Sequence, residues 1–258
     1  MLRLTIPRPA IALAATCAVL GASAWAIDTG AAITAEHAAS EAIRAAEPAG
    51  AQSVTPRVSF AAPSFLLSAR KGKLAHIEVR LIDVPTETFG PITVTTSGHQ
   101  ITGSSADIRA GHLDGLDAHD VTRSASLDAA AVGKILDMDD IDISNPDDVS
   151  PSAAARAHVR LSGTPAGCSS PATIIADLRV TAQTIHITPT TVETHPTCSA
   201  FNGNDDTAVK EKFTWSAPGS TLPIVGNIVS FLVRGGSLFL ESQNPHPTHL
   251  NPQLFTVE

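Results

Sequence analysis

The chain has 258 residues, 43% of them hydrophobic, enough for one large all-β or α+β domain with its own core. Aromatics make up only 4%, with no tyrosine, which argues against the stacking platforms of single-strand nucleic-acid binders. The formal charge is −8, and residues 1–26 contribute Arg3 and Arg8 but no acid, so the remainder is more acidic still. The basic footprint that a polyanion would need is missing, and no nucleic-acid partner is expected.

In chain order, Arg3 and Arg8 form a weak positive start, Ala10 to Leu20 is apolar, and Ala24-Trp25-Ala26 places small residues where a signal peptidase reads. Ala10–Ile27 also approaches spanning length, so residues 1–26 are read as a signal peptide or a retained N-terminal membrane anchor. Cys17 lies inside the apolar region, and Ala14-Ala15-Thr16 is a poor lipobox, so a lipoprotein is not expected. Ile33–Glu47 is alanine-rich, with Ile33, His37, Ser40 and Ile43 at helical spacing. Thr29 or Thr34 could cap this helix, and Pro48 and Gly50 could end it.

Val54–Phe60 reads as the first strand. An apolar knuckle follows, Ala62-Pro63-Ser64-Phe65-Leu66-Leu67, then a basic turn, Arg70-Lys71-Gly72-Lys73. Leu74–Val84 alternates, with Ile77, Val79 and Leu81 on one face and His76, Glu78 and Arg80 on the other, the pattern of a half-buried antiparallel strand. Ile92–Thr95 continues as a strand, interrupted at Gly98 and Gly103. Ala106–Leu113 and Leu116–Ser124 flank Asp114-Gly115, a hairpin signal. Leu127–Leu136 reads as a second helix, with Leu127, Ala131, Ile135 and Leu136 on one face and Ser126 as cap. An acidic connector with Ile141 and Ile143 follows, then Ala153–Leu161, which reads as a strand or as a helix turning into one.

Cys168 and Cys198 form an even pair in a chain read as exported, which points to a disulfide closing a 30-residue loop. Thr173–Val180 and Thr184–Val192 would be a hairpin centred near Gln183 that sets the two cysteines opposite each other. Phe201–Thr207 reads as a loop and Ala208–Ser216 as a strand. Leu222–Val233 is the longest apolar run outside the N-terminal segment, too short to span a bilayer. Arg234-Gly235-Gly236 turns the chain into Ser237–Glu241, and Leu254–Val257 is a final strand.

The densest polar cluster, His112, Asp114, Asp117, His119 and Asp120, could in principle bind a divalent metal. Its spacing suits a solvated hairpin tip better, and His246 and His249 sit in a proline-rich tail, so no metal site is expected. The chain carries no Gly-x-Ser-x-Gly, Ser-x-x-Lys, His-Glu-x-x-His or phosphate-loop motif. The paired carboxylates Asp139-Asp140 and Asp147-Asp148 lie in an acidic connector without an apolar pocket to raise a pKa. No enzyme and no cofactor are expected.

The apolar segments could close the ends of a β core or line a groove suited to acyl chains. On the groove reading, the lining would come from Phe65, Leu66, Leu67, Leu127, Ile135, Leu136, Leu222, Ile224, Val225, Ile228 and Phe231. Arg70, Lys71 and Lys73 would contact a headgroup.

The order of an export signal, an alanine-rich helix, Pro56-Arg57-Val58-Ser59-Phe60 leading to Pro63-x-Phe65-Leu66-Leu67, the Lys71-Gly72-Lys73 turn and a long strand ending Asp83-Val84 resembles the LmeA-like phospholipid-binding proteins of actinobacteria. The likeness extends over roughly Ile33 to Ser242, more weakly through Leu127–Leu136 and Leu222-Pro223 to Leu238. It departs from the family pattern where Ala62-Pro63-Ser64-Phe65 separates proline from phenylalanine. The resemblance implies an α+β fold, with a strongly bent antiparallel sheet around one or two helices, similar to tubular lipid-binding domains. It also implies an exported envelope protein, in the periplasm or held at the membrane surface. Such a protein binds phospholipid and takes part in lipid or lipoglycan (mannan) maturation or lipid transfer. On this reading residues 27–244 are the lipid-binding domain and residues 245–258 a tail or last strand. The alternative is a non-enzymatic envelope scaffold without a lipid cavity, and an envelope-lipid hydrolase is a more distant one.

Overall fold

The computed structural model describes residues 8–47, 54–146, 156–181, 183–224 and 227–256. Helix α1 (Arg8–Ala46) is continuous through the positions read as possible caps. Thr34 does not cap; its hydroxyl donates to the Gly30 carbonyl one turn earlier. Residues 18–27 are exposed and packing begins at Asp28. The buried stripe is Ala35, Ala39 and Ile43, while Ile33 and His37 point outward. Small alanines, one turn apart, let the helix lie close to β1 (Arg57–Ala61) and the C-terminal segment.

The knuckle is the start of a short helix, α2 (Phe65–Arg70). Ser64 caps it, and the Asp28 carboxylate accepts from the Ser64 hydroxyl and from the amides of Phe65 and Leu66 at 2.8–2.9 Å. Three donors on one carboxylate fasten α2 to α1. Strands β2 (Lys73–Thr86) and β3 (Gly90–Gly103) then form a long hairpin, in which Ile77, Val79, Leu81 and Val94 are buried. Gly98 lies within β3 rather than interrupting it. A bulge between Leu81 and Val84 places Asp83 at φ 61°.

The expected Asp114-Gly115 hairpin does not form. Residues Ser105–Ala110 make helix α3, capped by Ser104 and closed by Gly111 at φ 71°, and Leu113–Gly115 is a single 3-10 turn. Two good caps spaced for a short helix outcompete the turn dipeptide. Strands β4 (Leu116–Ala118) and β5 (Asp120–Leu127) follow. Leu127 therefore ends a strand, and helix α4 spans Ala129–Leu136 with Asp128, not Ser126, as its cap.

The chain then builds a second sheet: β6 (Asp142–Ser144), β7 (Arg156–Gly163), β8 (Ala172–Thr181), β9 (Thr184–Thr194) and, after helix α5 (Asp206–Lys212), β10 (Trp215–Pro218). The sequence over 208–216 reads as a strand because Val209, Glu211, Phe213 and Trp215 share a phase. Asp205 instead caps a helix that buries Val209 and, just past its end, Phe213. The chain returns to the first sheet as β11 (Ile228–Arg234), β12 (Ser237–Asn244) and β13 (Thr248–His249). Pro252–Phe255 is a 3-10 turn where a last strand was expected. Positions 48, 50, 147–148, 153–155 and 257, on which expectations also fell, lie outside the described residues.

Both sheets are antiparallel. The first has eight strands, with β1-β2-β3-β5-β12-β11 side by side and β4 and β13 at one end; the second runs β10-β9-β8-β7-β6. Strand β11 lies against β6, β7 and β8, and Phe89 packs edge-on against Trp215 at 5.6 Å, so one apolar core spans both sheets.

His76 and His99 face each other across the β2–β3 pair with their Nδ1 atoms 3.1 Å apart. Burial, and then the charge of His99, hold His76 below the ordinary histidine value, against a smaller opposing pull from Glu78. The unfolded chain takes up this proton near pH ~6.5 and the folded chain only at lower pH. Between those points the unfolded state binds more protons, and stability falls as pH falls. Thermal melts from about pH 7 to about pH 5 should show a falling Tm, and His76→Asn should flatten part of that slope. Parallel slopes for the two proteins would clear the pair of the effect.

Candidate functional site

On the inner face of the first sheet, β5 presents Val121, Arg123, Ala125 and Leu127. Arg123 is thus a cation in the apolar phase of a strand. Its register partners are Thr96 on β3 and Ser242 on β12, so a polar row of three buried residues crosses the apolar face. Nε of Arg123 donates to the Thr96 hydroxyl at 2.9 Å, and Nη2 donates to the carbonyls of Leu254 and, at 3.5 Å, Thr256. The C-terminal turn is stapled to the sheet by this side chain. Burial pushes the guanidinium below its ordinary value.

Arg123 lines a groove of about 890 Å3, within the size range of small-molecule sites. Its apolar lining includes Val84, Leu222, Ile224 and Leu254, and Glu87 stands in the lining with its backbone carbonyl taking a 2.8 Å bond from Lys134 Nζ. A smaller groove of about 470 Å3 lies near Lys73, Ile101 and His119.

Of the apolar residues read as lining, Leu222 and Ile224 border the larger groove. Phe65, Leu127, Leu136, Ile228 and Phe231 are buried in the core, Leu66 and Ile135 are half-buried, Leu67 is exposed, and Val225 is outside the described residues. Arg70, Lys71 and Lys73 are all exposed near α2, apart from the larger groove. The chain is acidic, and nothing in its composition marked Arg123. The signal was positional, an arginine in phase with Val121, Ala125 and Leu127.

The remaining polar candidates are occupied with structure. His112 and His119 are exposed, and Asp117 pairs with His249 Nδ1 at 2.9 Å, tying β4 to β13. Asp140 accepts from the hydroxyl and amide of Thr164, which holds its carboxyl below the usual range. Among the described residues, no three His, Cys, Asp or Glu side chains are grouped to hold a metal. Cys168 and Cys198 are joined by a disulfide across the open end of the β8–β9 hairpin, whose turn at Gln183 has φ 63°.

A family model described as LmeA-like phospholipid-binding matches residues 26–243. The chain belongs to that family. No curated protein and no solved structure matches it. The matched stretch of this LmeA-like chain begins just before Asp28, where α1 starts to pack, and includes Arg123, Leu222 and Ile224.

Proposed function

We propose that this LmeA-like protein is exported to the cell envelope and binds phospholipid, without catalysis, in the groove bordered by Leu222 and Ile224. Its role would be in envelope lipid or lipoglycan maturation or in lipid transfer. The observation that carries the reading is an 890 Å3 groove, lined by apolar residues such as Leu222, Ile224 and Leu254 together with polar ones such as Arg123, in a member of a phospholipid-binding family. In this reading residues 27–244 are the lipid-binding unit, and the first sheet bends around its helices as in tubular lipid-binding domains.

Export is supported by the disulfide and by α1, which is long and apolar enough to cross a membrane. Val19, Leu20, Trp25 and Ile27 are exposed on it, and such a surface belongs in a bilayer or is removed by a peptidase. If it is retained, the Asp28 bonds hold α2 beside the membrane surface, with exposed Leu67 and the basic Arg70 and Lys71 facing the headgroups.

The full chain, purified gently and extracted, should yield co-purified phospholipid by mass spectrometry and should bind phospholipid vesicles. Neither result appearing would overturn the reading. It would favour an envelope scaffold instead, a reading supported by the packing of Phe65, Leu127, Ile228 and Phe231 in the core.

A further inference from the structure

We propose that Arg123 is the receptor for the phosphate group of the bound phospholipid. This inference rests on the phospholipid reading of the groove and names the group that recognises the headgroup.

A guanidinium has five N–H donors. In Arg123 the Nε hydrogen goes to Thr96, and the two on Nη2 go to the carbonyls of Leu254 and Thr256. Those partners are neutral. Among the described residues no carboxylate lies within the 4.0 Å of an ion pair, and the two Nη1 hydrogens have no protein acceptor. The strand neighbours on the same face are Val121 and Ala125, and the cross-strand neighbours offer hydroxyls only.

Burying a cation without an anion is costly, and proteins keep such groups where something neutralises them. Arg123 is 6% exposed and borders the groove beside Leu222 and Ile224. An amphiphile with acyl chains against the apolar part of the lining would bring its phosphate to Arg123, the one cation among the described lining residues. Arginine suits this task because its guanidinium stays charged when buried, and with Nε and Nη2 held by Thr96, Leu254 and Thr256 the Nη1 hydrogens are left to donate to a phosphate oxygen. Glu87, also in the lining, repels an anion, while Lys134 on its backbone carbonyl places a second cation close by. Arg70 and Lys71 are exposed at the end of α2 and Lys73 borders the separate 470 Å3 groove, so none of the three lines the groove that holds Arg123.

The experiment titrates the full chain, delipidated in mild detergent, with dioctanoyl phosphatidic acid, with dioctanoylglycerol and with inorganic phosphate alone, by calorimetry. The first two probes differ only in the phosphate. The wild type should bind the phosphatidic acid at least about tenfold more tightly, the contribution of a charge-assisted hydrogen bond or more. Arg123→Gln should lose that ratio while still binding dioctanoylglycerol, and Arg123→Lys should keep part of it.

A folded Arg123→Gln that retains the full ratio overturns the proposal. Should the glutamine variant not fold, the wild-type titrations decide, because equal affinity for the two lipids also overturns it. Inorganic phosphate binding as tightly as phosphatidic acid would make this a free-phosphate site and overturn the lipid assignment. Wild-type protein that binds none of the three probes marks failure of the phospholipid reading itself, and is told apart from retained diglyceride binding without a phosphate preference.

Discussion

Gly111→Ala should destabilise the protein by roughly 3 kcal/mol or more, measured by denaturant unfolding. Two separate costs meet at this position. Gly111 closes α3 at φ 71°, a conformation that an L side chain adopts at a cost of about 1–2 kcal/mol. A Cβ there would also sit 2.1 Å from the backbone oxygen of Ala35 and 2.9 Å from its carbonyl carbon. The obstacle is the backbone of α1, which cannot rotate away as a side-chain tip could. Gly235→Ala is the control, because Gly235 has φ 58° with nothing within 4 Å of the added carbon. It should show only the conformational cost of about 1–2 kcal/mol. The difference between the two variants measures how closely α1 is held against α3. Equal losses would show that α1 can move aside.

That contact also shows where the sequence was readable. Strand β2 announced itself because Ile77, Val79 and Leu81 are large, apolar and two apart, and all three are buried. The cysteine pairing was readable because the strands between the two cysteines were, and a hairpin brings its flanks together. Helix α1 was misread in its facing for the opposite reason. Its buried positions Ala35 and Ala39 are small, and alanine carries no hydrophobic contrast against its alanine neighbours. Isoleucine at position 33 was the conspicuous residue and is the exposed one.

The Asp114-Gly115 dipeptide misled because a turn signal only matters if its flanks are strands, and Ser104 and Gly111 had already committed one flank to a helix. Arg123 is the opposite kind of omission. It was visible in sequence as a break in an alternating run, and only the packing of the C-terminal turn over it gives the break a meaning. Nothing in strand periodicity predicts which segment, 131 positions later in the chain, will lie across that face.

Phe231→Ala should cost about 3–5 kcal/mol, the range for truncating a fully packed aromatic. Phe231 is 2% exposed on β11, the edge strand through which the first sheet meets β6, β7 and β8 of the second. Removing its ring leaves a void in the core, and the backbone pairing of β11 with β12 limits how far the strand can collapse inward. The register of β11 shifts between Ile228 and Ser230, which leaves Val229, two residues earlier, 43% exposed, and Val229→Ala should change stability by less than about 0.5 kcal/mol. The same pair of variants bears on ligand binding. If Phe231 is core, Phe231→Ala lowers the denaturation midpoint while the protein that remains folded keeps its phospholipid affinity. If Phe231 instead touches acyl chains, stability changes little in the lipid-free protein and affinity drops, because the ring's contacts are then with ligand rather than with the core. Measuring both quantities on one variant separates a core residue from a lipid-lining one, and the 2% exposure of Phe231 makes loss of stability with retained affinity the expected result.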